Sequence, residues 1–144
     1  MLRPMLAAAA IAFMTLAPLQ GAIAASPSSC DLGALAGKWI LFKTNVSHPQ
    51  SSRCSITVRA NGSFSGNKTC NDYQWGYKSL AYTIEGKIAI SSSVNSCYVS
   101  ITATAAGDVQ IKAEGAINAE KNQISGFFTN SNPAVGPLSL VKVP

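Results

Sequence analysis

The sequence has 144 residues, enough for one domain, and a formal net charge of +5. Its Lys and Arg residues are scattered singly rather than clustered, so the sequence lacks the basic footprint of a nucleic-acid-binding protein. Charged residues make up only 12% of the chain, and this sparse distribution indicates an ordinary solvated surface.

Residues 1–24 have the features of an export signal. Arg3 gives a positively charged start, an apolar run extends from Leu6 to Leu16, and Ala22-Ile23-Ala24 fits the small-x-small cleavage rule. The apolar run is too short to span a bilayer. The sequence therefore predicts a signal peptide over 1–24 and a periplasmic or secreted protein that is free of the membrane after cleavage. An N-terminal anchor and a lipoprotein modified at Cys30 are the alternatives.

The first residues after the predicted cleavage site have no apolar pattern. We call this segment the N-terminal arm; it consists of Ala25, Ser26, Pro27, Ser28 and Ser29. The sequence predicts a mobile arm tethered at Cys30, in which the proline stiffens the backbone by fixing its own φ angle.

Three short strands are predicted next, over Lys38 to Lys43, Cys54 to Arg59 and Gly62 to Lys68. The polar segment Thr44 to Ser52 predicts a long loop between the first two. Trp39 alternates inward in the first strand, and we expect it to close the floor of a barrel.

The turn between the second and third strands sets their register. A three-residue loop, Ala60-Asn61-Gly62 with the glycine left-handed, pairs Val58 with Phe64 and Ile56 with Gly66. A slip by one residue would turn every apolar side chain to the solvent, so the sequence favours this loop.

The remaining chain predicts further short strands joined by turns. The sequence predicts a hairpin about Gly86 between Tyr82 to Glu85 and Lys87 to Ser91, a loop over Ser91 to Ser96, strands over Cys97 to Thr104 and from Val109, a strand around Ile124 to Phe128, a loop over Asn130 to Gly136 and a closing strand over Leu138 to Val143.

This pattern gives eight or nine short strands and no amphipathic helix of three turns. We therefore expect an all-β fold, a single antiparallel up-and-down β-barrel of about eight strands over residues 25–144. A barrel of eight strands is filled by side chains or holds one small ligand.

The four cysteines lie in the predicted exported part at spacings of 24, 16 and 27 positions. An even number in a small exported domain indicates two disulfides, and three connectivities are possible. The predicted hairpin places Cys54 opposite Lys68, with Cys70 one diagonal step away. This register favours Cys54–Cys70 and leaves Cys30–Cys97.

Candidate chemistry is sparse in the sequence. His48 is the only histidine, and the six carboxylates show neither a metal-ligand spacing nor a paired catalytic arrangement. The sequence therefore predicts a protein that is not an enzyme and that needs no metal or cofactor. Tyr73, Trp75 and Tyr77, at a period of two, are instead a candidate contact surface, on either a twisted strand at the barrel rim or an aromatic loop.

The segment Leu35-Ala36-Gly37-Lys38-Trp39-Ile40-Leu41, followed by Cys54-Ser55-Ile56-Thr57-Val58 and Cys70, resembles the bacterial periplasmic inhibitors of secreted alkaline metalloproteases. The resemblance covers about a third of the chain. It implies an eight-stranded antiparallel barrel, a bridge between the second-strand cysteine and the next one, and inhibition by the N-terminal arm, which enters the protease cleft.

The same region also resembles avidin-like barrels, through Gly37-Lys38-Trp39 and the segment Asn61-Gly62-Ser63-Phe64-Ser65-Gly66. Those proteins hold biotin with several later tryptophans, whereas Trp75 is the only one after Cys70 in this chain. Both resemblances imply a calycin-type barrel.

Three functions follow as hypotheses from the sequence. The first is a monomeric inhibitor of a secreted protease that acts through its N-terminal arm. The second is a barrel that carries a small apolar ligand, and the third is an interaction module that uses the aromatic segment from Tyr73 to Tyr77.

Overall fold

The computed structural model describes residues 30–93 and 96–144. The predicted signal peptide and N-terminal arm lie outside this part of the chain. No helix among the described residues is long and apolar enough to cross a membrane. The elements are two 3₁₀ turns, Leu32–Leu35 and Ala106–Asp108, and strands β1 (Gly37–Asn45), β2 (Gln50–Val58), β3 (Ser63–Gln74), β4 (Tyr77–Lys78), β5 (Tyr82–Ser93), β6 (Ser96–Ala105), β7 (Val109–Ile117), β8 (Gln123–Asn130) and β9 (Val135–Lys142).

Eight of these strands form a closed antiparallel barrel. Each pairs with its neighbours in the order β1-β2-β3-β5-β6-β7-β8-β9, and β9 pairs back onto β1. The remaining strand, β4, has two residues and pairs with the end of β3. The predicted fold class, a single up-and-down β-barrel, is confirmed.

One end of the barrel, here called the closed end, is sealed by the first 3₁₀ turn. Leu35 in this turn is fully buried, and the indole Nε1 of Trp39 donates a hydrogen bond to the Leu35 carbonyl oxygen at 2.7 Å. Lys142 Nζ donates to the carbonyl oxygen of Ala34 at 2.9 Å. The prediction that Trp39 closes the floor is therefore confirmed. The other end, where the connections 46–49, 75–81, 106–108 and 131–134 lie, is called the open end.

Both predicted disulfides are present, Cys54–Cys70 and Cys30–Cys97. Disulfides of this kind are typical of proteins from an oxidising, extracytoplasmic environment. The second bridge joins Cys30, the root of the N-terminal arm, to Cys97 at the beginning of β6, at the closed end.

The predicted three-residue turn is also confirmed. Gly62 has a φ of +80°, the amide of Arg59 donates to the carbonyl of Ser63 at 2.8 Å, and Val58 pairs with Phe64. The register further along was predicted wrongly for Cys54, which pairs with Cys70 rather than with Lys68.

The cause of this difference is an irregularity in β3. The pairing of β3 shifts between Gly66 and Cys70 on the β5 side, and Lys68 lies there with a φ of +51°. Such a bulge inserts unpaired residues into one strand and carries the next inward side chain along the barrel. The two cysteines therefore stand directly opposite one another.

Two predicted loops are largely strand. In the polar segment Thr44 to Ser52, β1 extends to Asn45 and β2 begins at Gln50. Only residues 46–49 form the turn between them. The predicted loop over Ser91 to Ser96 is likewise taken up in part by β5 and β6.

The predicted hairpin about Gly86 is wrong, because β5 runs through this residue without a turn. Gly86 pairs with Phe64 on one side and with Ala103 on the other. A Cβ atom at this position would lie 2.7 Å from the ring atom Cζ of Phe64 and closer still to the carbonyl oxygen of Thr102. The glycine therefore makes room for an aromatic ring that fills the barrel interior.

We predict that Gly86→Ala lowers the free energy of unfolding by about 1–3 kcal/mol, because the added methyl group overpacks the barrel wall against Phe64. Chemical denaturation of the purified protein measures this change. Ser91→Ala, at an exposed position on the same strand, serves as the control and should change stability by less than about 0.5 kcal/mol. Equal stability of the glycine variant and the control would contradict the packing argument.

Candidate functional site

A cavity of about 380 Å³ opens at the open end of the barrel. We call this cavity the cup. Its apolar walls include the side chains of Phe128, Ile111 and Ala134, all of which are buried. Its polar wall and mouth are formed by Lys43, Asn45, His48, Gln50, Ser52, Asp72, Gln74, Tyr82, Asn130 and Asn132.

Three polar side chains from neighbouring strands meet on one wall of the cup. Ser52 on β2 pairs in register with Asp72 on β3, and Tyr82 begins the next barrel strand, β5. Asp72 Oδ1 accepts hydrogen bonds from the Ser52 hydroxyl at 2.5 Å and from the Tyr82 hydroxyl at 2.7 Å. Ser52 is only 3% exposed. The carboxylate is thus held in place by two donors from the strands on either side.

The neutral form of the Tyr82 phenol is strongly favoured in this cluster. Burial raises the pKa of Tyr82 well above its ordinary value, and the hydrogen bond to Asp72 and the negative charge of that carboxylate raise it further. Tyr82 therefore acts as a hydrogen-bond donor to the carboxylate at every pH at which the protein would normally work.

Lys43 on β1 extends this cluster by one strand, because it pairs in register with Ser52. Its Nζ is 5.3 Å from the centroid of the Phe128 ring, within range of a cation–π interaction. Burial lowers the pKa of Lys43, and the negative charge of Asp72 acts in the opposite direction. Within residues 30–93 and 96–144 the ammonium group has no hydrogen-bond acceptor and no carboxylate within salt-bridge distance.

The described residues contain no cluster of three metal-ligating side chains, and all four cysteines are bridged. The cup combines one partly desolvated ammonium, a fixed carboxylate and an aromatic wall. This arrangement can bind a molecule that has a flat apolar part and an oxygen acceptor.

The aromatic segment predicted as a contact surface forms a hairpin at the open end. Trp75 and Gly76 are the two turn residues, both with positive φ, and Gln74 pairs with Tyr77 across them. Tyr73, Trp75 and Tyr77 are 38%, 76% and 81% exposed. None of the three lines the cup, and their role as a contact surface stays a prediction.

The residues proposed for the N-terminal arm, Ala25 to Ser29, lie outside the described part of the chain. The root at Cys30 is at the closed end, opposite the cup. His48, predicted to lie in a solvent-facing loop, is exposed as expected but also lines the mouth of the cup.

The grouping of Lys43, Ser52, Asp72 and Tyr82 was not predicted from the sequence. A signal for two of them was present, because side chains two positions apart on a strand face the same side. Ser52 precedes the inward Cys54 by two residues, and Asp72 follows the inward Cys70 by two. The alternation thus predicts that both polar side chains enter the barrel.

No protein-family model matches the sequence, and no curated protein matches it at a significant level. Solved structures with a similar fold include designed barrels. One is a de novo designed fluorescence-activating β-barrel, with a TM-score of 0.53 and 10% identity over 80% of this chain and 100% of that chain. Another is the redesigned barrel mFAP1 bound to DFHBI, with a TM-score of 0.54 and 14% identity over 80% of this chain and 100% of that chain. Identities this low establish the barrel fold alone.

We predict that Tyr82→Phe lowers the free energy of unfolding by about 1–2 kcal/mol at neutral pH, because Asp72 loses one of its two side-chain donors. Chemical denaturation measures the loss, with Tyr98→Phe, at an exposed position, as the control.

The loss should also depend on pH. The unfolded chain releases the Tyr82 proton near the ordinary pKa of 10.0, whereas the folded chain retains it to higher pH. The contribution of Tyr82 to the free energy of unfolding is therefore fully present below pH 10, and it decreases as the pH rises above 10. The difference in the free energy of unfolding between the native protein and Tyr82→Phe should become smaller above pH 10. A difference that stays constant up to pH 11 would contradict the raised pKa.

Proposed function

We propose that this chain is a non-enzymatic binding protein whose cup holds a small ligand with a flat apolar body and an anionic or hydrogen-bond-accepting group. The observation that carries the proposal is the ammonium group of Lys43, which lies over the Phe128 ring and lacks a hydrogen-bond acceptor among the described residues. Taking a charged donor partly out of water without a partner is unfavourable, and a ligand oxygen would satisfy it.

The apolar part of the ligand would pack against Phe128, Ile111 and Ala134. A cavity of about 380 Å³ falls within the usual size range of small-molecule sites, which combine an apolar lining with a few placed polar groups. Aromatic walls favour flat rings, because stacked or edge-on rings gain contact beyond simple area burial.

The acceptor group of the ligand would point to Lys43 rather than to Asp72. The carboxylate of Asp72 already accepts hydrogen bonds from Ser52 and Tyr82, so it offers a ligand no donor. The amides of Asn45 and Gln50 at the mouth supply further donors that can orient a bound oxygen.

The designed barrels of the same fold support this proposal in a limited way, since one of them was solved bound to a small molecule, DFHBI. The two disulfides support a place of action in the periplasm or after secretion, and the proposed binding requires no cofactor. The aromatic hairpin at Tyr73 to Tyr77 lies at the same end as the cup and would be a second contact surface beside it.

The inhibitor hypothesis stays a prediction, because no observation on the described residues bears on the arm itself. The inhibitor hypothesis and the ligand-binding proposal can be tested separately, because they involve opposite ends of the barrel. Cys30, at the root of the arm, is bridged to Cys97 at the closed end, whereas the cup opens at the other end. A chain that begins at Cys30 should therefore retain ligand binding in full, whether or not the arm inhibits a protease.

The test uses two probes of the same shape, 2-naphthoate and the neutral 2-naphthamide, with isothermal titration calorimetry. We expect the carboxylate to bind about tenfold more tightly than the amide, because it pairs with the Lys43 ammonium. Lys43→Met should abolish this preference, whereas Lys87→Met, at an exposed position on β5, should leave it unchanged.

A second pair of variants tests the place of binding. Ala106→Trp puts a large side chain at the mouth of the cup and should abolish binding of both probes. Ala89→Trp, which is exposed elsewhere on the barrel, is the matched control. The proposal fails if neither probe binds the native protein, or if binding survives in Ala106→Trp.

A further inference from the structure

The side-chain amine of Lys43 lies in the cup without a partner that would hold it in its protonated form. Lys43 is half-buried, and its Nζ lies over the Phe128 ring with no hydrogen-bond acceptor or salt-bridged carboxylate among residues 30–93 and 96–144. Burial lowers the pKa of Lys43, because the charged form loses part of its hydration. A larger fraction of this amine is therefore neutral near pH 7 than is usual for lysine. The lone pair of a neutral amine makes it a nucleophile.

A second lysine that lies over an aromatic ring provides a comparison within the same barrel. Lys142 Nζ is 5.9 Å from the centroid of the Trp39 ring, at the closed end. There it donates a hydrogen bond to the carbonyl oxygen of Ala34 at 2.9 Å, which stabilises the ammonium form. The buried side chains of Trp39 and Leu35 fill the barrel at that end. At the open end, by contrast, the cavity of about 380 Å³ gives a ligand access to the amine of Lys43.

We propose that Lys43 forms a reversible imine with a flat, conjugated aldehyde bound in the cup. This inference rests on the proposed function, because it requires that the cup accept the ring of such a ligand. The ring would pack against Phe128, Ile111 and Ala134, which would bring its carbonyl group to the amine. A lysine that is partly desolvated in an apolar site is suited to this chemistry, since less free energy is needed to remove its proton.

The reaction conserves atoms and charge and consumes no oxidant or reductant. The ammonium first loses a proton to water, and the neutral nitrogen attacks the carbonyl carbon with its lone pair. The C–N bond forms as the C=O π bond breaks, and a proton moves from nitrogen to oxygen to give a carbinolamine. The oxygen takes up a proton from water and leaves as water, while the nitrogen lone pair forms the C=N double bond. The product is a protonated imine, so the site retains one positive charge.

Asp72 supplies a negative charge that stabilises the protonated imine. Lys43 pairs in register with Ser52, and Ser52 pairs with Asp72, so the three side chains lie in one row along the cup. The charge of Asp72 acts on the Lys43 amine from two strands away. The hydroxyls of Ser52 and Tyr82 fix the carboxylate in that place. The remaining titratable group on the cup is His48, which is exposed at the mouth.

Reductive trapping measures imine formation directly. The native protein is incubated at pH 7 with 2-naphthaldehyde, which has the shape of 2-naphthoate, and with sodium cyanoborohydride, which reduces the imine to a stable secondary amine. Peptide mapping by mass spectrometry locates the added naphthylmethyl groups. We expect Lys43 to be modified about tenfold faster than Lys87, an exposed lysine on β5, because the Lys43 amine is less protonated and the ring is held beside it. Modification of Lys43 no faster than that of Lys87 would overturn the proposal.

Two further measurements test whether the modification takes place in the cup. An excess of 2-naphthoate should slow the modification of Lys43 and leave that of Lys87 unchanged, and Ala106→Trp should have the same effect without a competitor. Rapid modification of Lys43 that neither change slows would also overturn the proposal. Binding of 2-naphthoate together with unselective modification would refute the imine and leave the proposed function intact. The proposed function itself is refuted when neither 2-naphthoate nor 2-naphthamide binds.

The absorbance of the unreduced imine tests the role of Asp72. A protonated conjugated imine absorbs at a longer wavelength than the neutral imine, so a pH titration follows its deprotonation. Asp72→Asn retains an oxygen acceptor for Ser52 and Tyr82, and it should move this titration about one pH unit lower, because the charge that favours the protonated form is lost. Asp108→Asn, at an exposed position outside the cup, is the matched control and should leave the titration unchanged. Equal titrations of the native protein and Asp72→Asn would contradict this role.

Discussion

The hydrogen bond from the Trp39 indole to the carbonyl of Leu35 determines which end of the barrel is filled. Trp39 has no exposed surface, so its N–H would be costly to bury without an acceptor. The chain before β1 provides that acceptor locally by folding back as a 3₁₀ turn across the barrel end. That turn brings Leu35 into the interior as well. The closed end is therefore packed with side chains, and the remaining interior volume lies at the open end.

The polar character of the cup follows from strands that continue past the apolar core. On β2 and β3 the inward positions change from Ile56 and Phe64 at the closed end, through the bridged cysteines, to Ser52 and Asp72 at the open end. Buried polar groups are tolerated only when they are paired. Here the register supplies the partner for each, because the serine and the carboxylate stand opposite one another. The polar wall of the site is thus a continuation of the barrel wall.

The sequence predicted those features that depend on neighbours in the chain. The turn at Ala60-Asn61-Gly62 and the count of strands are of this kind. Gly86 was misread, because glycine serves both a turn and a close approach, and here the ring of Phe64 on another strand decides between them. The bulge at Lys68 also depends on pairing with two other strands. The cup was not predictable as a site, since Lys43 and Phe128 are far apart in sequence and only the pairing of β9 with β1 that closes the barrel brings them together.

Because side chains alternate along each strand, the cup and the outer surface of the barrel are built from consecutive residues. Phe42 faces outward and Lys43 inward on β1, and Phe127 faces outward and Phe128 inward on β8. The contact of the Lys43 ammonium with the Phe128 ring spans the inside of β9, the strand that pairs with both β1 and β8. A ligand that draws the ammonium away from the ring would therefore act on β1 and β8, the two strands that join the beginning and the end of the chain through β9.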